Sequence, residues 1–384
     1  MSAYKRTMKS LGALFISMIF VFAGYALIVS SVGVILKEAG VSSFGIGLVN
    51  SCFFLGALLS TISAHKIITK IGHIRAFGVF GSCFAICIIL HSISDAIWFW
   101  TILRLVLGYC YYAFLMLIES WINDKAKNAN RSRVLSLYEI TFYLALGSGT
   151  LLLALNLNKY EIFIISACLI MFSSLPLNLI RIKEPILQKQ SQISLPKVFD
   201  LVPLAFVTSF IAGMLLNGFF SMSSLYILLQ GFEAAQVSIF MFAMMLGSFS
   251  AQLGVGFISD KIGRKFAIIL CASIALSVAT LLFCFKLDFV IQCLLSFFLG
   301  IGIGPLYALA LARANDMLED KSKLVELNRS VLFCYSLGSL LCPTLLGALM
   351  QYFSYQGFTL FYLCALGFLI LFAINKPNIR KNHD

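Results

Sequence analysis

Of the charged side chains inside the long apolar stretches of this chain, three could do chemistry there: Arg104, Glu119 and Glu139. A charge at the middle of a membrane helix costs ~2.5–3.5 kcal/mol on insertion scales, so each should face a partner or a water-filled cavity. At roughly 100° per residue, Arg104, Gly108, Tyr111, Tyr112, Leu115 and Glu119 share one side of a helix. That stripe reads as a cavity wall in which Arg104 takes an anion or a carbonyl. The alternative is an arginine snorkelling to the outer surface. Glu139 carries Tyr143 one turn further along the same face. A carboxyl group in a low-dielectric site can exchange protons during a reaction cycle, which makes Glu139 and Glu119 the candidate proton carriers. For Glu119 a structural ion pair with Arg131 or Arg133 is the competing reading.

A second constellation lies in a short polar loop, Gly256-Phe257-Ile258-Ser259-Asp260-Lys261-Ile262-Gly263-Arg264-Lys265. Gly263 permits a tight turn, and Asp260 can pair with Arg264 across it. Other chemistries lack their residues. There is no Walker loop, no HExxH and no Ser/His/Asp set, and the four histidines (65, 73, 91, 383) are dispersed. The eleven cysteines all fall in apolar stretches without a CxxC pair, and read as packing residues. No enzyme, no metal site and no cofactor is expected.

The elements that position these residues follow from composition. With 60% hydrophobic and 11% charged residues, the chain is not a soluble globular protein. Apolar runs of about 20 residues or more, enough for a crossing helix, occur near 10–35, 44–67, 73–94, 96–122, 133–156, 159–181, 201–229, 236–259, 265–285, 288–312, 325–350 and 355–375. The runs do not alternate polar and apolar residues, so helices and not a barrel cross the bilayer. Twenty-four of the 28 Lys and Arg residues fall in seven clusters on one side of these runs, leaving Lys37, Lys159 and Lys286 on the other and Arg104 within. Cytoplasmic connections retain Lys and Arg, so the seven clusters face the cytoplasm together with both termini. This distribution turns the net charge of +12 into a topology and argues against nucleic acid as a partner. The first run, preceded by Lys5, Arg6 and Lys9, reads as an uncleaved anchor.

The chain also repeats itself. Ile67, Lys70, Ile71 and Gly72 precede Ile258, Lys261, Ile262 and Gly263 by one fixed offset, and Leu146-Gly147-Ser148 precedes Leu337-Gly338-Ser339 by the same one. Gly108, Asn123 and Asp124 anticipate Gly300, Asn315 and Asp316 one residue further on. Six helices per half leave both halves in the same orientation, a parallel repeat. The expected organisation is an N-terminal six-helix bundle (1–181), a polar cytoplasmic linker (182–200) and a C-terminal six-helix bundle (201–384). Small residues (Gly56, Ser60 and Ala64; Gly338 and Cys342) predict close helix contacts. Gly300-Ile301-Gly302-Ile303-Gly304-Pro305 predicts a kinked helix and not a dinucleotide loop, since no strand precedes it.

Together the repeat, the linker and the Gly256–Lys265 loop resemble the major facilitator superfamily of secondary transporters, over essentially the whole chain. Arg104-Leu105-Val106-Leu107-Gly108 is similar to the family's fourth-helix motif with Leu107 in place of its Gln. Ile118-Glu119-Ser120 with its basic loop resembles the YcaD-like bacterial branch. In the first half the loop motif keeps Lys70, Gly72 and Arg75, but Thr69 stands for its Asp and His73 for its Arg. Segment five has Gly147-Ser148-Gly149-Thr150 and lacks the Gly-Pro pattern of the family's drug–proton antiporters. The resemblance implies an all-α membrane fold of twelve helices in two bundles. It implies a cytoplasmic gate of Asp260, Gly263, Arg264 and Asp316. It also places segments one and seven at the central cavity. Tyr25, Tyr112, Tyr143, Asn217, Tyr307 and Tyr335, with Arg104, are then the expected solute contacts. The expected activity is secondary active transport of a small solute by alternating access, with the proton as candidate coupling ion and direction left open. A monomer in the cell inner membrane is expected. The alternative is a non-transporting receptor or assembly factor on the same fold.

Overall fold

A computed structural model describes residues 3–125, 131–179, 202–318 and 324–377. Among these residues all regular structure is helical, and twelve helical segments are long and apolar enough to span a membrane. In chain order the helices are α1 (Ala3–Glu38), α2 (Ser43–Ile71), α3 (His73–Leu90), α4 (Ile97–Lys125), α5 (Arg131–Leu151), α6 (Lys159–Phe172), α7 (Leu175–Leu179), α8 (Pro203–Leu229), α9 (Ala234–Ile262), α10 (Arg264–Cys284), α11 (Phe289–Ile303), α12 (Leu306–Met317), α13 (Leu324–Phe353) and α14 (Gln356–Ile374). The sixth span is α6 with α7, and the tenth is α11 with α12. The tenth breaks at Gly304-Pro305, where proline has no N–H for the helical ladder. The spans lie within a few residues of the sequence-derived ones, except that the eighth ends at Gln252 and not near 259, and the tenth at Met317 and not near 312.

Local chemistry sets the ends. Asn158 and Glu161 form a capping box at the start of α6, each side chain closing a backbone N–H of the other. Glu233 and Gln236 do the same for α9. The α2–α3 and α9–α10 junctions turn at Gly72 (φ 85°) and Gly263 (φ 92°), conformations that cost little only for glycine.

Two compact units emerge. The N-terminal unit comprises Met1–Val41 and Cys52–Gln190, and the C-terminal unit comprises Ser42–Ser51 and Ser191–Asp384. The start of α2 therefore belongs to the C-terminal unit. There the hydroxyls of Ser51 and Thr344 lie 2.8 Å apart, and Gly47 runs against the carbonyl of Pro343. Within the N-terminal unit α1 packs on α5 and α6, and α3 on α4 and α6. Within the C-terminal unit α8 packs on α13, α9 on α11, and α10 on α11 and α14.

The same glycine contact recurs in each unit. A Cβ on Gly56 would sit 1.9 Å from the carbonyl oxygen of Leu105, and one on Gly108 would sit 1.8 Å from that of Phe53. In the other unit Gly247 stands 1.9 Å from the Phe297 oxygen by the same measure, and Gly300 2.1 Å from that of Met244. All four partnerships map onto each other under the sequence repeat. Lipid tails are as apolar as leucine, so helices here associate through such close backbone packing and not through hydrophobic expulsion.

This predicts opposite signs for one substitution. Gly78→Ala, which meets nothing within 4 Å, should be neutral or stabilising by up to ~1 kcal/mol through helix propensity. Gly108→Ala and Gly300→Ala should each destabilise by ~1–3 kcal/mol through overpacking. Thermal unfolding in detergent will read this as melting temperatures that fall only for the latter two.

Candidate functional site

In the N-terminal unit the Gly56–Leu105 and Gly108–Phe53 contacts bring α2 against α4 and so set Arg104 beside Phe53. Arg104 is 1% exposed, so its guanidinium is buried and does not reach the outer surface. Its Cζ lies 4.8 Å above the centroid of the Phe53 ring, a cation–π geometry that holds a desolvated cation by the ring's quadrupole. From Phe53 an unbroken aromatic chain runs through the unit. Tyr25 of α1 stacks on Phe53 at 5.7 Å and on Tyr111 at 3.7 Å, and Tyr111 meets Tyr112 edge-on at 5.8 Å. A branch passes from Tyr111 to Phe22, Phe142 and Tyr143, each step under 6.5 Å. Four expected contacts, Tyr25, Arg104, Tyr112 and Tyr143, thus belong to one cluster. Tyr25, Tyr112 and Tyr143 are half-buried.

Toward the other end of α4 lies a carboxyl pair. Glu119 is exposed and Glu139, on α5, is half-buried. Tyr138 and Glu139 of α5 both lie near enough to Glu119 to act on its carboxyl group. The competing partners Arg131 and Arg133 have side chains outside the described residues.

In the C-terminal unit α8 and α13 run backbone to backbone. A Cβ on Gly213 would lie 2.0 Å from the Tyr335 oxygen, and one on Gly338 2.1 Å from the Phe210 oxygen. This crossing places Asn217 beside α13. Its Nδ2 donates to the Tyr335 hydroxyl at 3.0 Å and to Ser339 Oγ at 2.7 Å. The Tyr335 ring lies 4.7 Å from that of Tyr307 on α12. Asn217, Tyr307 and Tyr335, expected separately, form one polar and aromatic group, and Asn217 remains half-buried.

The loop between α9 and α10 brings together its expected residues. Arg264 donates from Nη2 to Asp260 Oδ1 at 2.6 Å and from Nε to Asp316 Oδ2 at 3.0 Å. It also donates to the hydroxyl of Ser259. Gly263 supplies the turn that aims the guanidinium at both carboxylates. Nearby, Lys265 and Arg313 donate to carbonyls beyond the end of α14, the latter to Pro377 at 2.8 Å.

A family model for the Major Facilitator Superfamily matches residues 14–323 and, in a second match, residues 206–382. The chain belongs to the major facilitator superfamily. Its relatives include the uncharacterized MFS-type transporter YcaD of Salmonella arizonae, 25% identical over 364 residues that span 92% of this chain and 91% of the relative. The protein of the same name in Salmonella newport is 26% identical over 322 residues, 83% of each chain. The fold is similar to the crystal structure of the nucleoside transporter NupG, with a TM-score of 0.75 at 17% identity over 96% of this chain and 98% of that one. It is similar also to a bacterial homolog of the human lysosomal transporter Spinster in an inward-facing, unoccupied conformation, with a TM-score of 0.72 at 13% identity over 96% and 95% of the two chains. The protein is a multi-pass membrane transporter of this superfamily.

The superfamily's loop motif is built differently in the two halves. In the first, Thr69 bonds the His65 carbonyl of its own helix, and His73, 2% exposed, meets Ser120 Oγ at 3.0 Å. A histidine–serine contact stands where the second half has a cation between two carboxylates. Sequence reasoning found the ion group but missed Ser259, Phe53 and Tyr138. Ser259 and Tyr138 adjoin singled-out residues and were legible in principle. Phe53 had no signal.

The two partners of Arg264 differ in exposure. Asp260 is 61% exposed and Asp316 24%. An exposed pair contributes ~0–1 kcal/mol, whereas a shielded charge-assisted hydrogen bond contributes ~1.5–3 kcal/mol. Asp316→Asn should therefore lower the melting temperature in detergent more than Asp260→Asn. Equal losses would refute that ranking.

Proposed function

We propose that the protein is a secondary active transporter that moves a small solute through the cell inner membrane by alternating access, with both termini in the cytoplasm. The observation that carries this reading is the buried Arg104. A structural scaffold has no need of a desolvated cation, and a buried charge in a membrane helix marks a solute or ion path. The aromatic chain around it offers broad π faces to the solute. Tyr25, Tyr112 and Tyr143 supply hydroxyls along that surface, and Asn217, Tyr307 and Tyr335 supply the polar contacts of the C-terminal unit. Similar folds carry solutes: one is named a nucleoside transporter, another a lysosomal transporter homolog.

In this reading Glu119 and Glu139 couple the cycle to protons. A carboxyl group inside a membrane span can take up a proton and release it as its surroundings change. Tyr138 orients the Glu119 carboxylate for that exchange. Asp260, Arg264 and Asp316 form the cytoplasmic gate, in which the ion group holds the α9–α10 turn against the end of α12. The expected working unit is a monomer.

The test is flux in proteoliposomes. A thermal-shift screen of metabolite classes at two pH values selects a solute, and its uptake is followed with and without an imposed pH gradient. Uptake should be gradient-driven in the native protein. In Glu139→Gln it should persist down a solute gradient yet lose its response to pH. Unchanged pH dependence in that variant would remove Glu139 from coupling, and no flux of any bound solute would refute transport. A second outcome concerns Arg104: Arg104→Gln should weaken solute binding at least ~10-fold by removing a charge-assisted contact, as measured by titration calorimetry.

A further inference from the structure

The orientation of the Asn217 amide determines what kind of group it can receive. Ser339, 1% exposed, donates its own hydrogen to the Tyr335 carbonyl at 2.8 Å. A hydroxyl has one hydrogen to give, so toward Asn217 the Ser339 oxygen can only accept. The amide nitrogen, and not its oxygen, must therefore face Ser339 at 2.7 Å. The second amide hydrogen goes to the Tyr335 hydroxyl. Both donors of Asn217 are thus used inside the C-terminal unit. Among the described residues no donor reaches its Oδ1, and the side chain is half-buried. Gly213, one turn before Asn217, and Gly338, beside Ser339, hold α8 and α13 in backbone contact at this place.

We infer that Asn217 Oδ1 is a selective acceptor for the solute, and that the solute group seated in the C-terminal unit is a neutral hydrogen-bond donor, an N–H or O–H, beside the rings of Tyr335 and Tyr307. This rests on the transporter reading and specifies the solute class for one of its contacts. A group with lone pairs only, such as an ether, a tertiary amide or a carboxylate, would face the amide oxygen lone pair to lone pair. It would leave a shielded acceptor without a partner, which sites built for a donor reject strongly. Ser339 is a positioning residue in this scheme: it touches no solute and fixes which end of the amide points outward.

The test uses matched probes that differ by one donor, measured by calorimetry on the purified full chain: uridine against 3-methyluridine, N-methylbenzamide against N,N-dimethylbenzamide, and benzyl alcohol against benzyl methyl ether. The native protein should bind the donor-bearing member of at least one pair about tenfold more tightly than its methylated partner, the ratio expected for one unsatisfied acceptor. The pair that responds tells N–H from O–H. Asn217→Leu should bring the ratio to about one. Ser339→Ala, which frees one amide hydrogen and lets the amide turn, should also bring it near one by raising affinity for the methylated member, a gain that mere structural damage would not produce. Should Asn217→Leu fail to fold, the Ser339→Ala result decides. Equal binding within every pair by the native protein, or a ratio that survives Asn217→Leu, would overturn the inference while leaving transport standing. Donor preference without flux would uphold Asn217 and refute transport. Binding of no probe at all would count against both.

Discussion

Close approach of helix backbones at glycine is the constraint on which the rest of this structure depends. In the N-terminal unit Gly56 and Gly108 let α2 and α4 meet at their carbonyls, and in the C-terminal unit Gly247 and Gly300 do the same for α9 and α11. A single methyl group at any of these positions would overlap a backbone oxygen. In a bilayer no hydrophobic force presses helices together, so these contacts, with the dispersion they gather, are what makes the packing specific. Their recurrence under the sequence repeat makes the two units physically, as well as numerically, alike.

The functional groups differ where the scaffold does not. Arg104 stands over Phe53 because α2 and α4 touch, and the counterpart of Arg104 in the repeat is Ser296, which donates to the Phe240 carbonyl instead. Asn217 meets Tyr335 and Ser339 because α8 and α13 touch at Gly213 and Gly338. One unit thus offers a buried cation among aromatic rings, and the other offers neutral amide and hydroxyl groups. The loop motif diverges in the same manner, with Arg264 between two carboxylates in one half and His73 against Ser120 in the other. A duplicated frame has been given two chemistries.

Much of this was legible in the chain. Helix number and extent followed from apolar run length. Ridges of small residues located the crossings, since Gly56 and Gly338 both lie at backbone contacts. The kink at Gly304-Pro305 followed from the missing N–H of proline. The Asp260–Arg264 pair was legible because its members lie four residues apart across the Gly263 turn, and Asp316 entered only through resemblance to the superfamily. Phe53 was not legible. It is one of 36 phenylalanines, and nothing local separates a ring that faces a guanidinium from one that faces lipid. Tyr138 was hidden for a related reason, because its partner Glu119 lies on another helix.

By itself the sequence determined the class of the molecule, its twelve spans, its internal repeat, the sidedness of its basic loops and the short inventory of charges able to do chemistry. These are properties of composition and of spacing along one helix, where distance in sequence converts directly into distance in space. Only the tertiary structure decided which residues from different helices share a site: that Arg104 lies buried on Phe53, that Tyr25 joins Tyr111, that Tyr138 serves Glu119. It alone also decided that the nitrogen of the Asn217 amide faces Tyr335 and Ser339. That orientation depends on where Ser339, far away in sequence, spends its one hydrogen, and no periodicity along a single helix carries that information.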